Sequence, residues 1–300
     1  MAKISLKKGL GILATGAILT LASCSGVQQE SESKALSAAE IENILSRKNQ
    51  PAEYDSHLIH LLNQKGEEAT SKKIEQIKSG NLSNGKLLNF AYYDEPPEVY
   101  KAIASVIEKR NLTEGEQLQF AKTFDHAEIH LALVKKDKVS TAVLLHLATF
   151  GGYDVSKEIG KIISKRNLNV DEQVAFAKHA GYYAAIAGLI DNKNVSTKAL
   201  IEIAKGTNVE VSEKIAKVIL KRNLTKDEEM EFAKTAKWSP IHYAIAFKEN
   251  SSKSVLEFYM NVENLGDRYH SNSKEAWDHI SKTAAETYKS KLKTQKKPIK

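Results

Sequence analysis

Two short stretches and one lone cysteine carry residue types that could do chemistry. His126-Ala127-Glu128-Ile129-His130 sets two imidazoles at i and i+4. On a helix that puts both rings on one face, a spacing that can hold a metal ion. The order is not His-Glu-x-x-His, and no third ligand is indicated. His130 becomes Ile186 and then His242 at steps of 56 residues. A position that accepts both Ile and His fits a partly buried packing site, so no metal is expected. Gly80-Asn81-Leu82-Ser83-Asn84-Gly85-Lys86 matches the opening of a phosphate-binding loop, but Leu87 stands where the Mg²⁺-holding Ser or Thr belongs. The preceding Ser71 to Lys78 has a helical pattern where that loop needs a strand. Cys24 is the only cysteine, which excludes an intramolecular disulfide and a thiolate metal cluster. With no Gly-x-Ser-x-Gly elbow and no cofactor fingerprint, the chain reads as a non-enzyme without a cofactor.

Two other sets gain meaning from recurrence. His126, Tyr182 and Trp238 put an imidazole or aromatic ring at each 56-residue step. Such a row either packs beneath a turn or forms a stripe that grips a peptide or glycan, for which Tyr and Trp are favoured. Arg110, Arg166 and Arg222 form a second row, each six residues before Glu116, Glu172 or Glu228. That row either pairs with the glutamates or binds anions.

The elements that must position these rows follow from the repeat itself. Lys-Arg-Asn occurs at 109–111, 165–167 and 221–223, and Phe-Ala-Lys begins at Phe120, Phe176 and Phe232. Thr113 with Glu116, Asn169 with Glu172 and Thr225 with Glu228 have capping-box spacing, so a helix should begin at each. Val139-Ser140-Thr141 and Val195-Ser196-Thr197 open related segments midway through the period. The unit is therefore about 28 residues, a helix, a turn, a helix and a turn. Ile159, Ile162 and Ile163, and again Ile215, Val218 and Ile219, share a helix face. Pro96, Pro97 and Pro240 fall at helix openings, where a missing N–H costs little. Helices of about ten residues are marginal alone, whereas stacked neighbours bury a continuous core. The expected fold class is all-α, an α-solenoid of about eight two-helix units over residues 36–288. The Asn-x-Ser/Thr starts, together with Leu144-Leu145-His146-Leu147-Ala148 after Val139-Ser140-Thr141, resemble the variant leucine-rich repeat, a stack of short helices akin to HEAT-like arrays. This chain lacks the Pro that commonly follows the Asn and the cysteines of that family's iron–sulfur member. What the resemblance implies is the fold, not the cofactor.

The chain ends carry a different message. Lys3, Lys7 and Lys8 precede an uncharged apolar run from Gly9 to Leu21, which closes on Leu21-Ala22-Ser23-Cys24. That order resembles the signal peptide and lipobox of a bacterial lipoprotein. The resemblance implies removal of residues 1–23, lipid on Cys24 and attachment to the cell envelope. Ser25 in place of Asp implies the outer membrane where the host has one. Residues 24–35 read as a polar tether. The formal net charge is +7, yet three lysines lie in the leader and six in residues 289–300, which leaves the stretch between at about −2. The basic character belongs to a tail, and a nearly neutral body argues against nucleic acid as a partner. Tail lysines could meet anionic surfaces.

The sequence thus predicts a lipid-anchored envelope scaffold or adaptor that binds a protein or peptide partner on a stacked-helix surface. The second reading is a module for envelope glycan or polyanion, working through the tail; an enzyme of unrecognised type is third. Metabolic labelling with radioactive palmitate should mark the wild-type chain and not Cys24→Ala. Label retained by the variant would remove the lipobox reading.

Overall fold

The computed structural model describes residue 40 and residues 56–261 and 274–295. The expected leader 1–23, Cys24 and the tether to residue 35 lie outside the described residues. All the described residues belong to one unit, residues 35–300. Among them the fold is all-α, with sixteen α-helices, one short 3₁₀ turn and no strand. No described helix is long and apolar enough to cross a membrane.

The helices are α1 (Ser56–Asn63), α2 (Glu67–Lys78), α3 (Asn84–Leu88), α4 (Pro97–Lys109), α5 (Glu114–Thr123), α6 (Ala127–Val134), α7 (Thr141–Phe150) and α8 (Gly152–Ile163). They continue with α9 (Val170–His179), α10 (Tyr183–Ile190), α11 (Thr197–Gly206), α12 (Val209–Leu220), α13 (Lys226–Thr235), α14 (Ser239–Phe247), α15 (Lys253–Met260) and α16 (Lys274–Gln295). Four helices fill each 56-residue period. From α2 to α14 most helices pack chiefly on the one two places along the chain. The even-numbered helices from α2 to α16 form one layer, and the odd-numbered helices from α3 to α15 form the other.

Caps open the odd layer where the sequence predicts them. Thr113, Asn169 and Thr225 each accept from the N3 amide, while Glu116, Glu172 and Glu228 reach back to the cap amide. Ser140 and Ser196 cap α7 and α11. Ser83 caps the five-residue α3, so the phosphate-loop lookalike is a helix–turn–helix boundary, with Gly80 at φ 76° turning the chain after α2. Between the layers lie rungs of identical residues. Phe120, Phe176 and Phe232 are buried, as are Ile103, Ile159 and Ile215, and Ile107, Ile163 and Ile219. Each such side chain contributes about 1.5–3 kcal/mol by leaving water.

Both ends of the described stack differ from its middle. Near the start, the Lys73 ammonium on α2 is buried against both Glu95 carboxylate oxygens at 2.8 and 2.9 Å and donates to the Leu62 carbonyl of α1 at 3.1 Å. Breaking such a buried pair by removing one partner typically costs about 3–5 kcal/mol. At the other end, α16 rests on both α14 and α15, burying Trp277, Ile280 and Ala284. This helix runs to Gln295, past the tail boundary expected at residue 289. Lys289, Lys291 and Lys293 are therefore helical, and the Lys291 ammonium donates to the Ser251 carbonyl. Apolar residues at 277, 280 and 284 carry the helix, and the lysine-rich run continues it because Lys is a good helix former.

The crossing of α8 and α10 is tight. A Cβ on Gly188 would lie 2.1 Å from the Gly160 carbonyl oxygen, and a Cβ on Gly160 would lie 2.4 Å from the Ala184 carbonyl oxygen. The matching pairs are Ala104 with Ala132 and Ala216 with Ala244, so only this crossing is built without a methyl on either side. Gly188→Ala must push two backbones apart. It should destabilise the protein by roughly 1–3 kcal/mol, read as a lower urea midpoint at unchanged slope. Gly115→Ala, where a Cβ meets nothing within 4 Å, should show no such loss.

Candidate functional site

The arginine row is built into the joints between units. Arg110 donates to the Leu82 carbonyl at 2.5 Å, to the Gly80 carbonyl at 3.2 Å and to Asn84 Oδ1 at 2.6 Å. Asn84 in turn donates to Glu116 at 2.6 Å. Arg166 donates to the Val139 carbonyl at 2.8 Å and lies 3.5 Å from Thr141 Oγ1, and Thr141 also bonds Glu172. Arginine and glutamate therefore meet through a side chain of the preceding segment. Arg222 is half-buried, its pKa lowered by desolvation and opposed by the nearby Glu228 carboxylate. Burial raises the Glu172 pKa against bonds from Asn169 and Thr141 and the charge of Arg166. Glu116, more exposed, is held below the usual range, first by the Thr113 amide.

A second ladder, which the sequence reading missed, closes the long even-layer helices. Lys136 donates to the carbonyls of Ile107 at 2.9 Å and Arg110 at 2.6 Å. Asn192 donates to the carbonyls of Ile163 at 2.6 Å and Arg166 at 2.7 Å. Lys248 donates to the Arg222 carbonyl. All three occupy one position of the 56-residue period. They satisfy carbonyls that a helix C-terminus leaves open. A cleft of about 540 Å³ beside Lys109, Arg110 and Lys136 belongs to this joint.

The ring row is not uniform. His126 stacks on Tyr100 with ring centres 3.4 Å apart, and the Trp238 indole N–H donates to the Thr207 carbonyl at 2.5 Å. Tyr182 is 42 % exposed. Close to it stand Tyr183, 49 % exposed, and Tyr153, 61 % exposed, whose ring meets that of Tyr182 edge-on at 6.3 Å. Beside Tyr183 opens a pocket of about 260 Å³ between α9, α10 and the end of α11, lined by Ala177, Ala180, Ile186, Ile203, Gly206 and Thr207. Three exposed tyrosines thus stand together at the starts of α8 and α10, and one of them, Tyr183, lines the pocket. Tyr153 and Tyr183 do not belong to the 56-residue ring row, so the row alone did not find them. The signal available was their bulk at positions whose counterparts are small, such as Ala127 and Ser239 for Tyr183.

His126 and His130 have different partners. The His130 ring is buried and donates to the Phe124 carbonyl at 2.6 Å. His242 is fully buried. Its Nε2–H donates to the Ala236 carbonyl and its Nδ1 accepts from the Tyr259 hydroxyl, both at 3.0 Å. Among the described residues no group of three His, Cys, Asp or Glu side chains is arranged to hold a metal ion.

Comparison with known protein families, curated proteins and solved structures finds no match to this chain. The site is therefore read from its own geometry.

Burial of His242 lowers its pKa from the ordinary 6.5 to about 4, the bond to Ala236 opposing the shift. The unfolded chain takes up this proton near pH 6.5, the folded chain only near pH 4. Stability should thus fall as pH drops through that window, by on the order of 3 kcal/mol from this group. Urea unfolding from pH 7.5 to 4 should show the loss in the wild type. His242→Gln, which keeps a donor for Ala236, should be less stable at neutral pH and show a visibly flatter profile.

Proposed function

We propose that this chain is a lipid-anchored scaffold or adaptor of a bacterial cell envelope. It is held to the membrane through Cys24, with the outer membrane as the favoured location, and binds a protein or peptide partner on the middle of its helical stack. The observation that carries the reading is the exposed group Tyr153, Tyr182 and Tyr183 at the starts of α8 and α10, with Tyr183 also lining the pocket between α9, α10 and α11. An exposed tyrosine offers a large contact area with only two side-chain torsions to restrain and a hydroxyl for orientation. Stacked helical repeats present surfaces suited to extended partners. The bulk of the buried surface serves packing, and Arg110, Arg166 and Lys136 serve the joints between units. The tyrosines have exposed area left over from either task.

The second reading, a glycan or polyanion contact through the C-terminal lysines, has Lys289 and Lys293 on α16 to recommend it. Affinity capture with the full lipidated protein separates the two. Replacing Tyr153, Tyr182 and Tyr183 together with Ser should leave folding intact, since exposed positions tolerate change. It should also weaken partner capture at least tenfold, the range of an interface hot spot. Capture that survives this triple variant but is lost on Lys289→Gln with Lys293→Gln would overturn the first reading in favour of the second.

A further inference from the structure

The repeats of this chain act as moulds for one another, and the middle copy is missing part of its filling. In copy one, His130 donates to the Phe124 carbonyl that closes α5. In copy three, His242 donates to the Ala236 carbonyl that closes α13. The middle copy has Ile186 at this position, and Ile has no donor to offer Ala180, the residue that closes α9. Nearby positions shrink in step. Phe124 and Phe150 of copy one correspond to Ala180 and Gly206. Ala180, Ile186 and Gly206 all line the pocket of about 260 Å³.

The lining also carries an unmet hydroxyl. Thr207 is 4 % exposed, lines the pocket, and its Oγ1 has no hydrogen-bond partner. Leaving such a group unsatisfied is costly. Copy three shows what satisfies a comparable pair of groups. There an imidazole gives its N–H to the closing carbonyl and accepts a hydroxyl proton, from Tyr259, on its other nitrogen. The middle copy retains the closing residue and a hydroxyl and lacks the ring.

Resting on the partner-binding reading above, we infer that this pocket receives a histidine side chain of the bound peptide. Its ring lies beside Ile186 and makes bonds like those that His130 and His242 make in the flanking copies. One ring nitrogen donates to Ala180 and the other accepts from Thr207, while Ala177, Ile186 and Ile203 pack on its carbon edge. Tyr183 at the mouth holds the backbone of the same peptide. The ring enters from the partner because the chain's own donor at this position has been exchanged for Ile186.

The test uses the full chain in detergent micelles with 4-methylimidazole, the histidine side chain itself, followed by NMR at alkaline pH where the ring is neutral. Gly206→Phe restores the copy-one residue and should fold, because a Cβ at Gly206 meets nothing within 4 Å; its thermal unfolding checks this. The expected result is saturable binding to the wild type with a dissociation constant of roughly millimolar, as suits a six-atom fragment. Binding should weaken about tenfold for 1-methylimidazole, which lacks the N–H, and vanish in Gly206→Phe. Absent binding to the wild type, equal binding of toluene or 1-methylimidazole, or binding that persists in a folded Gly206→Phe would each overturn the assignment. Partner capture separates the two levels. Capture that needs the tyrosines but ignores Gly206→Phe overturns the histidine assignment alone. Capture indifferent to both overturns the partner-binding reading and this inference with it.

Discussion

The fold depends on how short helices end. A helix of eight to thirteen residues leaves a large share of its backbone groups at its termini, and those groups cannot be buried unpaired. In this chain the solution comes from the next segment along. Lys136, Asn192 and Lys248 reach back 26 residues to the carbonyls of Arg110, Arg166 and Arg222. Those arginines, at Arg110 and Arg166, reach back a further 27 or 28 residues to the carbonyls of Leu82 and Val139. Each unit is thereby tied to the one before it by polar bonds as well as by isoleucine and phenylalanine rungs. Apolar burial holds the layers together, while the polar bonds set the register in which they stack.

That division explains what could be read from the residues and what could not. Capping boxes were legible because both partners sit three residues apart in one segment. The rungs were legible because their spacing is helical and recurs. The back-reaching ladder was not, because its partners are 26 residues apart and its donor changes from Lys to Asn to Lys. No rule of local spacing couples a lysine to a carbonyl one unit away. The helical state of Lys289 to Gln295 was hidden for a different reason. A lysine run reads as solvated tail, and only the docking of Trp277 and Ile280 upstream shows that a helix is already under way.

The rows of recurring residues turned out to be less alike than their spacing suggested. At the ring position, His126 lies on Tyr100 and Trp238 is tied to Thr207, while Tyr182 is left open. A repeat fold imposes the backbone position, and the neighbours decide what the side chain does there. Tyr100 is present only in the first copy, and its counterparts are Ser156 and Ser212. His126 has that aromatic shelf, whereas Trp238 opposite Ser212 is held through its indole N–H and Tyr182 opposite Ser156 meets only the edge of Tyr153.

The two kinds of helix in the even layer have one more consequence. Between α4 and α14 that layer alternates helices of twelve or thirteen residues with helices of eight or nine. At 1.5 Å per residue the longer ones extend about 6 Å further. Successive members cannot be flush at both ends, so the rim of the layer is crenellated, with a notch at every second helix. Anything laid along that rim meets a pitch of two units rather than one. A partner with its own periodicity would have to match this doubled pitch to stay in phase.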